Sequence, residues 1–367
     1  MNILLIQLIG KGGAQLYTAQ LYQAISKTEN TVFLVLGDYL FEKKQYSENC
    51  SRILPFHTSP NFLIMFLVLI NPKTYFDLIR LVNTVKPDII HIVFEDPVSA
   101  VLSFFLSRKY PVIVTEHDPK MHAGEKLLIR ILWSFSRIIT RNIAKAIIVH
   151  GKFLKTILHE QGVPLNKIYT VPHGDFSYFT KWSDPTIHEE VTLLYFGLIN
   201  EYKGIEYLIL AAPKIIARFP NVKIIIAGQG DFSSYQKLIK TPENFEIYNY
   251  YIPDDQVAHL FERAAVIVLP YTDASQSGVI PLAYSFKKPV IATNVGSLPE
   301  VIDDRKTGFL IPAHNSEILA EYAITLLSDS SLRKEMGENA YKKMGCDLSW
   351  DKISRKTVEI YQNLLTK

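Results

Sequence analysis

Twelve short apolar runs, rich in β-branched residues and most of them followed by a polar or glycine-bearing turn, set the plan of this chain. Six lie at residues 3–8, 31–36, 89–93, 112–115, 146–149 and 168–171. Six more lie at 191–196, 222–227, 245–249, 265–269, 289–292 and 309–311. Runs this short and continuous suit parallel strands buried on both faces. Stretches of helical spacing separate them, so the pattern is a doubly wound α/β chain with helices on both faces. Two such series within 367 residues exceed one core and imply two domains with a cleft between them. The polar stretch 180–190 contains Pro185 and lacks periodicity, which places the linker there. The domains are then residues 1–177 and 178–348. A last helix, capped by Ser349, spaces Trp350, Ile353, Thr357, Tyr361 and Leu364 three or four apart. That face must pack on the first domain or form a dimer contact.

Hydrophobic residues make up 48% of the chain, enough for a large core without disulfides. The two cysteines, Cys50 and Cys346, lack metal-like spacing and suit a reducing cytosol. Residues 1–6 have no basic leader and read as a buried strand rather than a signal peptide. The apolar run 62–70 is about half the length needed to cross a bilayer. A net charge of +3 does not indicate nucleic acid, but its distribution is uneven. The first 177 residues carry 19 Lys/Arg against 13 Asp/Glu, and the remainder 20 against 23. A basic first half suits an anionic partner or a membrane surface.

Several turns after the apolar runs carry candidate chemistry. Asp273-Ala274-Ser275-Gln276-Ser277-Gly278 leads into a helix opening at about Val279. Unpaired amides at a helix start, with Gly278 allowing close approach, form a seat for an anion; the alternative is a plain helix cap. Lys203-Gly204 precedes another helix, where a cation is unfavourable unless an anion sits beside it; otherwise Lys203 is simply solvated. Gly12-Gly13 follows the first run, without the G-x-G-x-x-G spacing of a dinucleotide site, and a tight turn explains it equally. Gly197 ends the run at 191–196, and Gly228-Gln229-Gly230 forms another close-approach loop. Tyr250-Tyr251-Ile252-Pro253 offers an aromatic face to a base. His117, in Thr115-Glu116-His117-Asp118, stands at the carboxyl end of a strand and is either a ligand contact or a bonded structural histidine. Glu95-Asp96 is either a carboxylate pair or the start of a turn at Pro97. Residues 126–145, from Lys126 to Lys145, alternate basic and apolar side chains, with Arg130, Trp133, Arg137 and Arg141 at helical intervals. That is an interfacial helix whose cations meet lipid phosphates, or an ordinary helix with a solvated basic edge and an apolar side on the core.

Together these marks resemble glycosyltransferase family 4, retaining enzymes of the GT-B fold. The resemblance rests on Gly12-Gly13, Pro87-Asp88-Ile89-Ile90-His91, Thr115-x-His117-Asp118, Val171-Pro172-His173-Gly174, Phe196-Gly197 with Lys203-Gly204, Ala227-Gly228-x-Gly230, and Lys288-Pro289 with Gly296-x-x-x-Glu300. Their order and spacing cover nearly the whole chain. The resemblance implies two Rossmann-like doubly wound domains facing a central cleft, the second binding a nucleotide-diphosphate sugar (UDP- or GDP-linked) and the first an acceptor. It implies Lys203 on the diphosphate, the amides of Gln276, Ser277, Gly278 and Val279 on phosphate or sugar, and Gly13 approaching the donor from the other wall. Gly12, Gly197, Gly228 and Gly230 would line the donor, His117 would touch the transferred sugar, Tyr251 and Ile252 would flank the base, and the last helix (349–367) would return to the first domain.

Two departures stand out. The family's frequent Glu-x7-Glu pair falls on Leu282 and on Ala274 or Ser275, so neither carboxylate is present; Asp273 or Gln276 are the nearest substitutes. The family's frequent Arg after the strand-ending glycine is Leu198. The expected enzyme is a retaining hexosyltransferase without cofactor. It is also without metal, since no Asp-x-Asp or His cluster has metal spacing. It is expected at the cytoplasmic face of a membrane, acting on a saccharide or lipid-linked acceptor of a bacterial surface polysaccharide. The alternatives are a binding protein that keeps the fold without turnover and a nucleotide-sugar epimerase.

Overall fold

A computed structural model describes residues 1–10, 12–37, 52–58, 62–119 and 127–366. It comprises two compact units, Met1–His173 with Trp350–Lys367, and Gly174–Ser349.

The first unit is a parallel sheet of seven strands: β1 Asn2–Gln7, β2 Thr31–Gly37, β3 Ile53–Phe56, β4 Ile89–Ile92, β5 Val112–Thr115, β6 Ala146–Val149 and β7 Ile168–Thr170. Their order is β3-β2-β1-β4-β5-β6-β7. Its helices are α1 Gly13–Ser26, α2 Phe62–Ile70, α3 Pro72–Val85, α4 Pro97–Leu106, α5 Leu127–Ile143 and α6 Lys152–Glu160. Side chains alternate across β1, and each face meets its own helical layer. Ile3 and Leu5 pack with Tyr17 and Leu21 of α1 and with Ile353 and Tyr361 of the C-terminal helix Trp350–Leu365. Leu4 and Ile6 pack with Leu78 of α3, Leu102 of α4 and Leu154 of α6. β3 was not anticipated from the sequence. It is four residues long and contains Pro55, which an edge strand tolerates because its outer side needs no ladder bond.

Two local expectations need correction. Asp96 is not half of a working carboxylate pair: it caps α4, its Oδ1 accepting from the amides of Val98 (2.8 Å) and Ser99 (2.9 Å), with Pro97 at the first helical position. Helix α5 departs from both readings in where its arginines lie. Arg141 donates to both oxygens of buried Glu116, and Arg137 donates to the carbonyl of Asp118 at 2.7 Å. Ile131, Phe135 and Ile138, at helical spacing, instead face outward and are 54%, 65% and 58% exposed. A carboxylate buried like Glu116 demands cations, and these draw the arginine face of the helix inward. Lys126 and Cys50 lie outside the described residues; Cys346 is exposed.

The second unit is a parallel sheet of β8 Thr192–Phe196, β9 Lys223–Ala227, β10 Phe245–Tyr248, β11 Val266–Leu269, β12 Val290–Thr293 and β13 Gly308–Ile311. Their order is β10-β9-β8-β11-β12-β13. Its helices are α7 Ile205–Arg218, α8 Ser233–Gln236, α9 Asp254–Arg263, α10 Val279–Ser285, α11 Leu298–Val301, α12 Ser316–Ser328 and α13 Ser330–Asp347. The stretch 180–190, expected as a linker, is tied into this unit. Glu190 pairs with Arg263 (2.8 Å), and Glu189 with Lys288 (3.0 Å) and Arg333 (2.9 Å). The units therefore divide after His173 rather than after residue 177. Each strand order reverses once, between β1 and β4 and between β8 and β11. Ligands of doubly wound sheets bind outside the carboxyl ends of the strands at such points. Among the described residues no helix is long and apolar enough to cross a membrane, and no group of three His, Cys, Asp or Glu could hold a metal ion.

Candidate functional site

In the second unit the turns after β8 and β11 meet at the switch point and are stitched together. The carbonyl of Tyr202 accepts from the amide of Thr272 (2.9 Å) and from its hydroxyl (3.2 Å). Gly204 opens α7 at φ +62°, and a Cβ there would lie 2.0 Å from the Pro270 carbonyl, so only glycine allows the two turns to close. This places Lys203 Nζ 3.7 Å from the ring centroid of Tyr271 and 4.8 Å from that of Tyr202. An ammonium over aromatic faces is attracted by the negative face of each ring. The Tyr271 hydroxyl lies 3.4 Å from Ser277 Oγ, which accepts from the amide of Val279 at 3.3 Å. Lys203 and the loop 273–278 are thus brought together through Tyr271. Gln276 Oε1 is buried without a hydrogen-bond partner among the described residues, an acceptor that a ligand hydroxyl or N–H could satisfy.

The glycines of this edge have different jobs. Gly228 packs on the Gly197 carbonyl and Gly230 on that of Ile199; a Cβ on either would stand at 1.8 and 2.1 Å. Gly278 has an ordinary helical φ, and the space beside its Cα holds the ring of Phe176, 2.8 Å from an added Cβ. These three glycines serve packing within the unit. Open space of the kind the sequence expected beside Gly278 lies instead beside Gly197, at φ +132°, where an added Cβ would meet, among the described residues, a Val279 methyl at 3.9 Å. Leu282 and Ala274, at the positions of the absent carboxylates, are buried, whereas Asp273 and Leu198 are exposed. Tyr251 is half exposed and able to meet a base; the Ile252 side chain is buried, which leaves only its backbone for that role.

In the first unit, Gly12 caps α1 at φ +60°, with open space among the described residues where a Cβ would be, and Gly13 is exposed. His117 follows β5. Its Nε2 lies 2.9 Å from the Val93 carbonyl and its Nδ1 2.9 Å from His150 Nε2. Both ring nitrogens are engaged, and burial pulls its pKa down to about 4. His150 and His173 complete a cluster with ring centroids 4.7 to 6.3 Å apart, around the buried ring of Tyr17. Sequence reasoning missed His150. Its signal was the one that drew attention to His117, a polar residue just past the end of a buried strand. Beneath the cluster, His91 Nδ1 meets the hydroxyl of Tyr361 (2.6 Å) and its Nε2 that of Thr115 (2.7 Å). Burial lowers its pKa to about 3. Glu95, beside Glu116, moves the other way: burial and the neighbouring carboxylate push it up to about 8.

Comparison with known proteins adds a family. The model described as Glycosyltransferase Family 4 matches residues 11–174, and that described as Glycosyl transferases group 1 matches residues 179–343. An uncharacterized glycosyltransferase of Methanocaldococcus jannaschii, MJ1607, is 32% identical over 178 residues, 47% of this chain and 45% of that protein. The chain spans about half the length of the curated relatives it matches. Among solved structures, the sucrose-phosphate synthase (tll1590) of Thermosynechococcus elongatus superposes with a TM-score of 0.76 at 18% identity, covering 99% of both chains. Anabaena Alr3699/HepE in complex with UDP and glucose gives 0.76 at 17%, covering 98% of this chain and 99% of that one. At such identities the likeness is one of fold, the GT-B arrangement of two Rossmann-like domains.

Proposed function

The chain belongs to glycosyltransferase family 4, and on that premise we infer that it transfers a hexose from a nucleoside-diphosphate sugar to a saccharide or lipid-linked acceptor. The second unit binds the donor and the first binds the acceptor. The observation that carries this reading is Lys203 on the face of Tyr271, at the switch point of a parallel sheet, beside a loop with an unsatisfied buried acceptor. Departure of a nucleoside diphosphate builds negative charge on its outer phosphate. A preorganised ammonium and the amides of residues 276–279 stabilise that charge as it develops. In the first unit, His117 and the open turn at Gly12 and Gly13 are assigned to the sugar. Retention of anomeric configuration follows the family resemblance, and independence from metal follows the lack of an Asp-x-Asp or metal-spaced histidine cluster in the sequence. Anabaena Alr3699/HepE is described with UDP and glucose, which makes UDP-glucose the first donor to test.

We assign the protein to surface polysaccharide assembly at the cytoplasmic face of a membrane. The support is the outward apolar row of α5 together with exposed Phe76 and Phe104, flanked by the exposed cations Lys73, Arg108 and Arg130. Apolar side chains among cations suit an anionic lipid surface.

A donor panel read by thermal shift, followed by turnover with added EDTA, tests the reading. Lys203→Ala should stay folded and lose most activity; full activity in that variant rejects the site. Buried Leu282 and Ala274 in place of carboxylates favour one other reading, a nucleotide-sugar-binding protein without turnover. Tight nucleotide binding with no transfer to any acceptor would decide for it.

A further inference from the structure

We propose that His150 is the positioning residue for His117, and that the two rings take up a single proton as one unit. Three contacts run in line. His117 Nε2 faces the Val93 carbonyl at 2.9 Å, His117 Nδ1 faces His150 Nε2 at 2.9 Å, and His150 Nδ1 faces the Val171 carbonyl at 3.0 Å. A carbonyl oxygen only accepts, so both outer nitrogens must carry hydrogen for the end bonds to form. The inner N···N contact takes one hydrogen. The fully bonded chain therefore holds three ring protons, whereas two neutral imidazoles bring two. With all three bonds made, the pair is a shared monocation. In the neutral pair one of the three contacts has no hydrogen, and one ring is released.

The carbonyls at either end are fixed by the sheet: the amide of Val93 bonds the carbonyl of Ile6, and that of Val171 bonds the carbonyl of Val149. The rings therefore adapt, not the acceptors. The surroundings oppose the added charge. Burial lowers the proton affinity of both rings, and His173 and His91 act in the same direction. Asp118 acts the other way on His117. Tyr17, which packs against all three rings with centroids 5.0 to 5.1 Å away, is kept in its neutral form by burial. Bonding that demands a proton, set against burial that resists it, gives one coupled ionisation below the ordinary histidine range. His150 thereby decides whether His117 is clamped at both nitrogens or free to turn one of them. For turnover this rests on the assignment of His117 to the sugar; the proton count stands on the first unit alone.

The test is NMR of the full chain with 15N-labelled histidine, titrated across the range in which it stays folded. The expected result is that both rings move together with one midpoint and one proton. In His150→Gln that joint transition disappears, His117 holds an Nε2–H tautomer, and the pH profile of turnover loses the ionisation while nucleotide affinity is kept. Independent titration of the rings, no uptake before unfolding, or a His150→Gln pH profile that overlays the wild type would overturn the proposal. Absence of transfer from any donor would sink the functional reading instead, and the NMR titration would still decide the pair.

Discussion

Replacing Gly228 by alanine should destabilise the second unit more than replacing Gly197, although both glycines occupy backbone regions that other residues avoid. Their φ values are +150° and +132°, and alanine in such a region costs about 1–3 kcal/mol of strain at either position. The difference lies in what the new methyl meets. At Gly228 it would stand 1.8 Å from the carbonyl oxygen of Gly197, whose own amide is bonded to Ala227 at 2.9 Å. A braced backbone atom cannot rotate away, so overpacking adds about 1–3 kcal/mol. At Gly197 the nearest atom is a methyl at 3.9 Å, an ordinary contact. Gly228→Ala should therefore cost about 2–6 kcal/mol and Gly197→Ala the strain alone. Urea unfolding of the two variants measures the gap, and titration with UDP measures binding. Gly197→Ala, whose methyl projects into open space at the switch point, should lose nucleotide affinity, whereas folded Gly228→Ala should retain it. Equal stability of the two variants, or loss of binding only in Gly228→Ala, would refute the division of roles.

Other outcomes follow from the same contacts. His91 is neutral in the fold, with a pKa of about 3 against 6.5 for an ordinary histidine. Its contribution to stability is present above the ordinary value and is lost as the unfolded chain takes up a proton on acidification. Between pH 7 and pH 5 the difference between wild type and His91→Gln in denaturant unfolding should shift by about 2 kcal/mol; a flat difference would mean that His91 is not buried neutral. Arg141→Met leaves buried Glu116 without its bidentate partner and should cost about 3–5 kcal/mol, whereas a loss below 1 kcal/mol in thermal or urea unfolding would show the pair to be solvated. Phe135→Ser with Ile138→Ser should weaken sedimentation with anionic vesicles while leaving turnover of a water-soluble acceptor unchanged; undiminished vesicle binding would remove α5 from the membrane reading.

Much of the site was legible because glycines, lysine and the loop residues lie at strand ends, and strand ends are marked by apolar runs of fixed length. Lys203 and the loop 273–278 are more than sixty residues apart, with β9 and β10 between them in the chain, yet β8 and β11 are neighbours in the sheet, so both turns reach one edge of it. The purposes of individual glycines were not legible. Gly197, Gly228 and Gly278 look alike in a sequence, and only the atoms beside them separate a glycine bordering open space from one that admits a carbonyl or the Phe176 ring. The direction of α5 was hidden for a related reason: helical spacing shows two faces but not which is buried when a carboxylate from another strand competes for the arginines.

The sequence by itself determined the doubly wound architecture, the two series of strands and the family. Period and punctuation are local properties, and a strand buried on both faces has few ways to be written. Only the tertiary structure decided that the stretch 180–190 belongs to the second unit, that Glu116 draws arginines of α5 inward, and that His117 shares its ring nitrogens with Val93 and His150. Each of those depends on which side chains from distant segments arrive together. Burial then fixes the outcome, because a charge or a hydrogen-bonding group withdrawn from water must find its partner among whatever the fold has placed beside it.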